Sequence, residues 1–268
     1  MSALAFDVRE VSYRYNQVTA LDRLSMHVDR GERVALLGAN GSGKSTLLRL
    51  LAGLGFAEQG EISFLGEPLD EARLAGEEFF FSFRRRVGLV FQNADVQLFN
   101  PSVFDELAFG PLQLRWPAAK IRARVAEVLD AMEIAHLRDR APHRLSGGEK
   151  KRVALASVMV LDPEVLLLDE PSGALDPSSQ THIVDFLISC GKGAKTVVIA
   201  THDLDTLEDI ADRCYVLANG RVAGEGTPLE ILHDVGLLER ARLIRPHAHV
   251  HREGALQPHP HVHRHEGG

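Results

Sequence analysis

The chain has 268 residues, of which 45% are hydrophobic, so it is long enough for one large α/β domain or two smaller ones. Its net charge of −7, with histidines neutral, gives no support to nucleic-acid binding, which usually needs a basic surface. No apolar run approaches the roughly 18–20 residues that cross a bilayer, and the early charges in MSALAFDVRE are atypical of a signal peptide, so we expect a cytoplasmic chain.

Short β-rich runs alternate with helical stretches along the chain. Strands are predicted at 33–38, 61–66, 86–92, 164–170 and 196–203, and a hairpin is predicted at 213–226, turning at Asn219-Gly220. Helices are predicted at 44–54, 117–134 (with Pro117 in the first turn) and 147–161. Continuous apolar strands joined by helices indicate a parallel sheet covered on both faces, with a lateral helical subdomain at about 92–161. EEFFFSFRRR (77–86) is expected to be a strand edge or a short helix on the sheet.

The segment GANGSGKST (38–46) follows a predicted strand and begins a predicted helix, and it fits the pattern G-x-x-x-x-G-K-[ST]. Glycines let the backbone turn tightly, so that successive N–H groups and the helix N-terminus can face a phosphate. Lys44 is predicted to neutralise the β- and γ-phosphates of ATP, and Ser45 to bind Mg²⁺. The predicted nucleotide-binding residues here are Gly38, Asn40, Gly41, Ser42, Gly43, Lys44, Ser45 and Thr46.

Two acids end a fully apolar strand in VLLLDE (165–170). Asp169 is predicted to hold Mg²⁺, directly or through water, and Glu170 to polarise the water that attacks the γ-phosphate. Phosphoryl transfer needs little covalent chemistry from the protein, so the positions of water and metal carry most of the rate.

The segment LSGGEKKR (145–152) begins a predicted helix shortly before the acidic strand. It resembles the signature motif of ATP-binding-cassette ATPases. Ser146, Gly147 and Gly148 offer a second anion site at a helix N-terminus. The resemblance implies that this site closes on ATP held by another subunit of a head-to-tail dimer. Glu149 stands where most members of the family have glutamine.

Four further positions match motifs of the same family in order. Gln92 matches the glutamine loop, which implies contact with Mg²⁺ and the attacking water, and His202 matches the switch histidine at the γ-phosphate. Asp176 matches the D-loop residue that faces the partner subunit, and Tyr15 the aromatic residue that stacks on adenine. The resemblance implies a P-loop NTPase of α/β class within residues 1–243, with a RecA-like parallel sheet, an N-terminal antiparallel β portion and a helical signature subdomain.

The stretch VFQNADVQLFNPSVFDELAFGPLQL (90–114) resembles the coupling segment of energy-coupling-factor importer ATPases. We predict that Leu98 and Phe99 dock a cytoplasmic helix of a membrane partner, whereas Phe104 and Phe109 could equally pack internally. The resemblance implies integral membrane coupling and substrate-binding subunits, and a peripheral location on the cytoplasmic face of the plasma (inner) membrane. Val96 and Val103 are further apolar residues of this segment.

A histidine-rich tail, predicted to be disordered, follows at 244–268. Its alternating histidines are His247, His249, His251, His259, His261, His263 and His265. In an extended chain, alternate imidazoles point to one side and can converge on Ni²⁺, Co²⁺, Zn²⁺ or Cu²⁺. The tail resembles those of the cobalt/nickel branch of the same importers, although an inert solvated tail is the alternative.

Cobalt or nickel import is therefore the first hypothesis, and uptake of a vitamin or another ion by the same kind of ATPase is the second. A third is a non-transport cassette ATPase acting on nucleic acid or ribosomes, but this sequence has neither a second cassette nor a long coiled-coil insertion. A fourth hypothesis is metal storage by the tail, but the intact ATP-binding motifs argue against storage as the main function.

Overall fold

The computed structural model describes residues 3–173, 175–190 and 195–244, and the backbone of 248–250 and 256–258. Its strands are β1 (Leu4–Tyr15), β2 (Val18–Asp29), β3 (Arg33–Leu37), β4 (Gln59–Phe64), β5 (Glu67–Pro68), β6 (Val87–Val90), β7 (Val165–Asp169), β8 (Thr196–Thr201), β9 (Arg213–Ala218), β10 (Arg221–Gly226), β11 (Ala248–Val250) and β12 (Leu256–Pro258). Its α-helices are α1 (Lys44–Leu51), α2 (Glu71–Leu74), α3 (Glu77–Arg86), α4 (Val103–Gln113), α5 (Ala118–Ala131), α6 (Gly147–Met159), α7 (Pro177–Cys190), α8 (Leu207–Ile210), α9 (Pro228–His233) and α10 (Val235–Arg240).

A six-stranded sheet with the order β10-β9-β3-β8-β7-β6 forms the centre, and it is parallel except for β10. Every residue of β7 and β8 is buried, as predicted for strands covered on both faces. Leu166 and Leu168 join the core cluster on the side of α4–α7, whereas Val165 and Leu167 join the cluster that contains α1 and the second sheet. This confirms the predicted α/β class.

The second sheet is antiparallel, with the order β2-β1-β4-β5, and it confirms the expected N-terminal β portion. The ambiguous stretch 77–86 forms helix α3 beside it. Phe83 is 1% exposed, and its ring lies edge-on to that of Phe64 with centroids 5.2 Å apart. Of the two expectations for this stretch, the short helix is therefore correct.

The helices between β6 and β7 occupy the interval predicted for the helical subdomain. They are α4, α5 and α6, with one 3₁₀ turn before α4 (Ala94–Val96) and two between α5 and α6 (Ala135–Leu137 and Pro142–Arg144). Ile121, Val125 and Val128 of α5 repeat at helical spacing and are buried in the cluster with α4 and α6. Pro117 precedes α5 with an extended ψ of 139°, so the prediction that it lies in the first turn is wrong by one position.

The C-terminal part begins with the predicted hairpin. Asn219 and Gly220 have φ values of 51° and 76°, as a two-residue turn with both central residues left-handed requires. In the tail, Ile244 packs on the core and β11 pairs with β12 in antiparallel register. Residues 245–247, 251–255 and 259–268 lie outside the described residues. No helix in the described ranges has the length and apolar character that a membrane crossing needs.

Candidate nucleotide site

The loop between β3 and α1 adopts the tight path that its glycines predict. Gly38, Gly41 and Gly43 all have positive φ, with Gly43 at 111° directly before the helix. A Cβ on Gly43 would lie 2.7 Å from the carbonyl oxygen of Ala20, so no other residue fits there without a shift. The backbone is thus bent back on itself just where α1 presents its free N–H groups.

Lys44 begins α1 and is 6% exposed. Its Nζ donates a hydrogen bond to Gly38 O at 2.6 Å and lies 3.7 Å from Glu170 Oε1, an ion-pair distance that is too long for a hydrogen bond. Burial lowers the pKa of Lys44, and the carboxylates of Glu170 and Asp169 act in the opposite direction. The result is a buried cation beside the glycine loop.

Ser45 and Asp169 form the second contact between the loop and the end of β7. Ser45 Oγ donates a hydrogen bond to Asp169 Oδ1 at 3.0 Å. Burial raises the pKa of Asp169, and the hydrogen bond from Ser45 lowers it. A hydroxyl and a carboxylate are hard oxygen ligands, so this pair has the chemistry that Mg²⁺ prefers.

Glu170 directly follows β7, with its side chain 5% exposed and its backbone in the left-handed region at a φ of 47°. Its Oε2 lies 2.9 Å from His202 Nδ1, and its N–H donates to Ala200 O at 2.9 Å. His202 follows β8, the strand next to β7, so two neighbouring parallel strands deliver the pair to one edge of the sheet.

Two buried polar atoms at this edge have no hydrogen-bond partner among the described residues: Ser42 Oγ and Glu170 Oε1. Buried polar atoms are almost always paired in native proteins, with protein, water or ligand. Ser42 Oγ lies in the glycine loop, and Glu170 Oε1 faces Lys44. These residues therefore fit a magnesium–nucleotide complex with an attacking water.

Gln92 and Tyr15 make no described hydrogen bond with the acids of β7 or with Lys44. Gln92 is exposed in the loop after β6, and no described hydrogen bond joins its side chain to the acids of β7. Tyr15 is 42% exposed, and its hydroxyl lies 3.5 Å from Nη1 of Arg49 on α1. Tyr15 thus lies beside the helix that follows the glycine loop, and its stacking on adenine stays a prediction.

The signature residues lie at the N-terminus of α6. Ser146 Oγ accepts a hydrogen bond from the N–H of Glu149, and Glu149 Oε2 accepts one from the N–H of Ser146 at 2.7 Å. Glutamate and glutamine can both complete this reciprocal capping box, so the glutamate is compatible with the position. The hydrogen bond from the N–H of Ser146 lowers the pKa of Glu149. A Cβ on Gly148 would lie 2.2 Å from Ser179 Oγ, whereas one on Gly147 would meet open space.

Asp176 caps the next helix, α7. Its Oδ1 accepts a hydrogen bond from the N–H of Ser179 at 3.0 Å, and its Oδ2 accepts one from Ser179 Oγ at 2.7 Å. In the described part of the chain, no hydrogen bond or ion pair joins the signature residues or Asp176 to the loop 38–46.

Two buried charged residues near these elements were not found by sequence reasoning. Lys151 on α6 is 7% exposed, and its Nζ donates to Glu170 O at 2.6 Å. Glu106 on α4 is 4% exposed, and its Oε2 accepts hydrogen bonds from the N–H groups of Phe99 and Asn100. For Lys151 the available signal was a charge on the apolar face of the helix predicted at 147–161. For Glu106 no helix is predicted from the sequence, so there was no such signal.

The coupling segment divides into buried and exposed residues. Phe99 is 67% exposed, and its ring lies edge-on to that of Phe109 with centroids 5.1 Å apart. Leu98 is half-buried against the helical core, so it is less available for docking than Phe99. Phe104 is also half-buried, and Val103 is fully buried. We name Phe99, Phe109 and Leu112 the aromatic patch; Val96 is also exposed.

The tail histidines contribute nothing to this site as described. His249 lies in β11, and the other six lie outside the described residues. Within the part that the structure describes, no three histidine, cysteine or acidic side chains are grouped so that they could hold a metal ion.

Comparison with known proteins identifies the family. Residues 21–173 match the family described as ABC transporter. The nickel import ATP-binding protein NikO of Rhodobacter capsulatus is 55% identical over 243 residues, which are 90% of this chain and 96% of NikO. The energy-coupling factor transporter ATP-binding protein EcfA of Methanothermobacter thermautotrophicus is 43% identical over 241 residues, 90% of this chain and 76% of EcfA.

Solved structures agree. The structure of cbiO1 from Clostridium perfringens, described as part of the ABC transporter complex cbiONQ, has a TM-score of 0.76 and 37% identity, and the match covers 90% of this chain and 95% of cbiO1. A dimer of the ATP-binding cassette MJ0796, in a post-hydrolysis state with ADP and Pi, has a TM-score of 0.74 and 27% identity. The match covers 83% of this chain and 98% of the MJ0796 chain. The family model, the sequence relatives and the solved structures agree with the glycine loop and strand-end acids described above: this chain belongs to the ABC transporter family and is an ABC-type ATPase.

Proposed function

We propose that this chain is the ATP-hydrolysing subunit of an energy-coupling importer for nickel or cobalt ions. It works as a head-to-tail dimer on the cytoplasmic face of the plasma membrane, with integral coupling and substrate-binding subunits. The observation that carries the choice of ion is the 55% identity to a nickel import ATP-binding protein along nine-tenths of the chain. The likeness to cbiO1, from the complex cbiONQ, supports an assembly with membrane partners.

In the proposed reaction the residues of the site divide the work. Lys44 and the N–H groups of the loop neutralise the β- and γ-phosphates, so that charge on the leaving group is stabilised. Glu170 accepts a hydrogen bond from the attacking water through Oε1, while His202 holds the other carboxylate oxygen. Ser45 and Asp169 would hold Mg²⁺, with Gln92 as a further ligand, and the bound ion supplies neutralising charge at the phosphates.

The signature end of α6 is proposed to complete the site of a second subunit. Ser146 and Gly147 are exposed, and they begin a helix of 13 residues, long enough to present a dipole to an anion. Asp176 lies beside Gly148 and is exposed as well. That the related cassette MJ0796 forms a dimer with ADP and Pi supports this arrangement.

The aromatic patch is proposed to dock the membrane partner. Exposed aromatic clusters are uncommon on monomers and typical of protein interfaces. Replacing Phe99 and Phe109 by Asp should therefore stop ion uptake and co-purification of membrane subunits, while ATP binding by the isolated chain remains intact. Leu98 is unsuitable for this test because a charge there would enter the helical core.

Leu229 on α9 offers a matched control for the aromatic patch. It is 54% exposed but lies outside the coupling segment. Leu229→Asp should leave uptake and assembly unchanged. If the Phe99 and Phe109 variant also imports at the normal rate, the docking surface lies elsewhere.

The histidine tail is proposed to bind the transported metal on the cytoplasmic side. Deleting 246–268 should leave ATP hydrolysis nearly intact but remove most Ni²⁺ or Co²⁺ binding, measured by calorimetry without nucleotide. Lowering the pH through about 6 should weaken this binding in the intact chain, because protonated imidazole cannot bind a metal. Replacing the seven tail histidines by asparagine should have the same effect as the deletion. Equal metal affinity with and without the tail would contradict the proposal.

Uptake of a vitamin or another ion is the second candidate, because EcfA is named only as an energy-coupling ATPase. Cells with and without this chain can be compared for uptake of labelled Ni²⁺, Co²⁺ and a panel of vitamins. We expect loss of uptake for Ni²⁺ or Co²⁺ alone; loss for a vitamin instead would favour the second candidate.

A further inference from the structure

Lys151 is a buried cation that the proposed reaction does not use. It lies on the first half of α6, five positions after the capping residue Ser146. Its aliphatic part lines a small apolar cleft with Leu155, Leu168 and Ile183, and its Nζ donates a 2.6 Å hydrogen bond to the main-chain oxygen of Glu170. The side chain thus runs from the signature helix to the backbone of the proposed general base.

The backbone at Glu170 needs such support. A glutamate with φ of 47° is in the left-handed region, which is unfavourable for residues with a Cβ and persists only where neighbours enforce it. The Glu170 oxygen also accepts a hydrogen bond from the N–H of Gly173 at 3.2 Å, and the Glu170 N–H is bound to Ala200 O. Three contacts therefore fix the peptide groups on either side of the Glu170 Cα.

Nearby carboxylates partly offset the burial of the Lys151 ammonium. Burial lowers the pKa of Lys151, and the carboxylates of Asp169 and Glu170 act against that change. Both acids are themselves buried. A charge placed deep in the protein is tolerated only where opposite charges and hydrogen bonds compensate it. Here the compensating carboxylates of Asp169 and Glu170 both lie at the end of β7.

We propose that Lys151 is a positioning residue, which holds the left-handed turn at Glu170 and thereby aims its carboxylate at the attacking water. This rests on the proposed role of Glu170 as general base. Lys151 also joins α6, whose N-terminus serves the neighbouring composite site, to the glutamate of its own site. A shift of α6 on ATP at one site therefore reaches the hydrolytic carboxylate of the other.

The test compares two side chains of nearly equal size. Lys151→Met removes the donor, and Lys151→Gln keeps an N–H donor without the charge. We expect Lys151→Met to lower kcat by roughly 10–100-fold, because a misplacement of about 1 Å has an effect of that order. The KM for ATP should stay within about 3-fold, since the phosphate contacts remain. Lys151→Gln should retain most of kcat.

Lys195→Met is the matched control. Lys195 Nζ also donates to a main-chain oxygen, that of Pro163 at 2.8 Å, but at the opposite end of β7. Lys195→Met should leave kcat unchanged. Equal losses in the Met and Gln variants at position 151, a wild-type kcat in Lys151→Met, or the same loss in Lys195→Met would each overturn the proposal.

A double variant separates this inference from the role of Glu170. In the Glu170→Gln background, Lys151→Met should reduce the residual hydrolysis by less than about 2-fold, because its effect acts through the carboxylate that is already lost. A full second reduction would show that Lys151 acts independently and overturn the inference. If Glu170→Gln alone leaves hydrolysis intact, the proposed role of Glu170 fails instead.

Discussion

Glu170→Gln is expected to lower the kcat of ATP hydrolysis by roughly 10²–10⁴-fold, the usual contribution of a positioned general base. Glutamine has the same shape and can still contact His202, so the buried site should stay packed. It lacks the negative charge that polarises water. ATP binding should remain, because the glycine loop and Lys44 are untouched and one carboxylate near the phosphates has been neutralised. Phosphate release and nucleotide calorimetry measure the two effects separately.

The same variant tests the composite site. With ATP and Mg²⁺, Glu170→Gln should sediment as a dimer, since the nucleotide that closes the interface is no longer consumed. Adding Ser146→Arg should prevent that dimer by blocking the end of α6. Ser82→Arg, at an exposed serine of α3, is the control and should leave the dimer intact. Near-normal hydrolysis would remove Glu170 from the role of general base, and a monomer with bound ATP would argue against the trans site.

Lys44→Ala is expected to lose affinity for ATP rather than only turnover. A hydrogen bond to a charged group contributes about 1.5–3 kcal/mol, so the Kd should rise by roughly 10–150-fold. Glu170 would also lose the buried cation 3.7 Å from its Oε1, and the two acids would repel the phosphates more strongly. Calorimetry with ATP measures the change, and Lys44→Met keeps the volume of the side chain. An unchanged Kd with lost turnover would mean that Lys44 acts only in the transition state.

The central sheet and phosphate loop were predictable because their signals are local. Glycines at this spacing after a strand predict a tight loop, and continuous apolar runs predict buried parallel strands. The direction of the strand at 164–170 then places the acids at 169 and 170 at the edge of the sheet where the loop lies. The stretch 77–86 was ambiguous because its phenylalanines suit a strand. Helix α3 forms since Phe79 and Phe83, four residues apart, stack on one face, while acids in its first turn and arginines in its last complement the dipole.

The contacts of Lys151, Glu106 and Leu98 could not be predicted for a different reason. Each depends on what the fold brings opposite the side chain: the carbonyl of Glu170, the N–H groups before α4, and the helical core. Sequence spacing gives the direction of a residue relative to its own helix or strand but not the partner that meets it. Leu98 and Phe99 are neighbours of similar hydrophobicity, yet only the second is well exposed.

Uptake of labelled Ni²⁺ and Co²⁺ by cells in which Glu170→Gln replaces the wild-type chain tests most directly whether ATP hydrolysis by this chain energises ion import. Uptake of one of the two ions is expected to fall to the level of cells lacking the chain, with the variant present on the membrane in normal amount. Wild-type uptake of both ions, by cells whose purified variant hydrolyses no ATP, would contradict the proposed function.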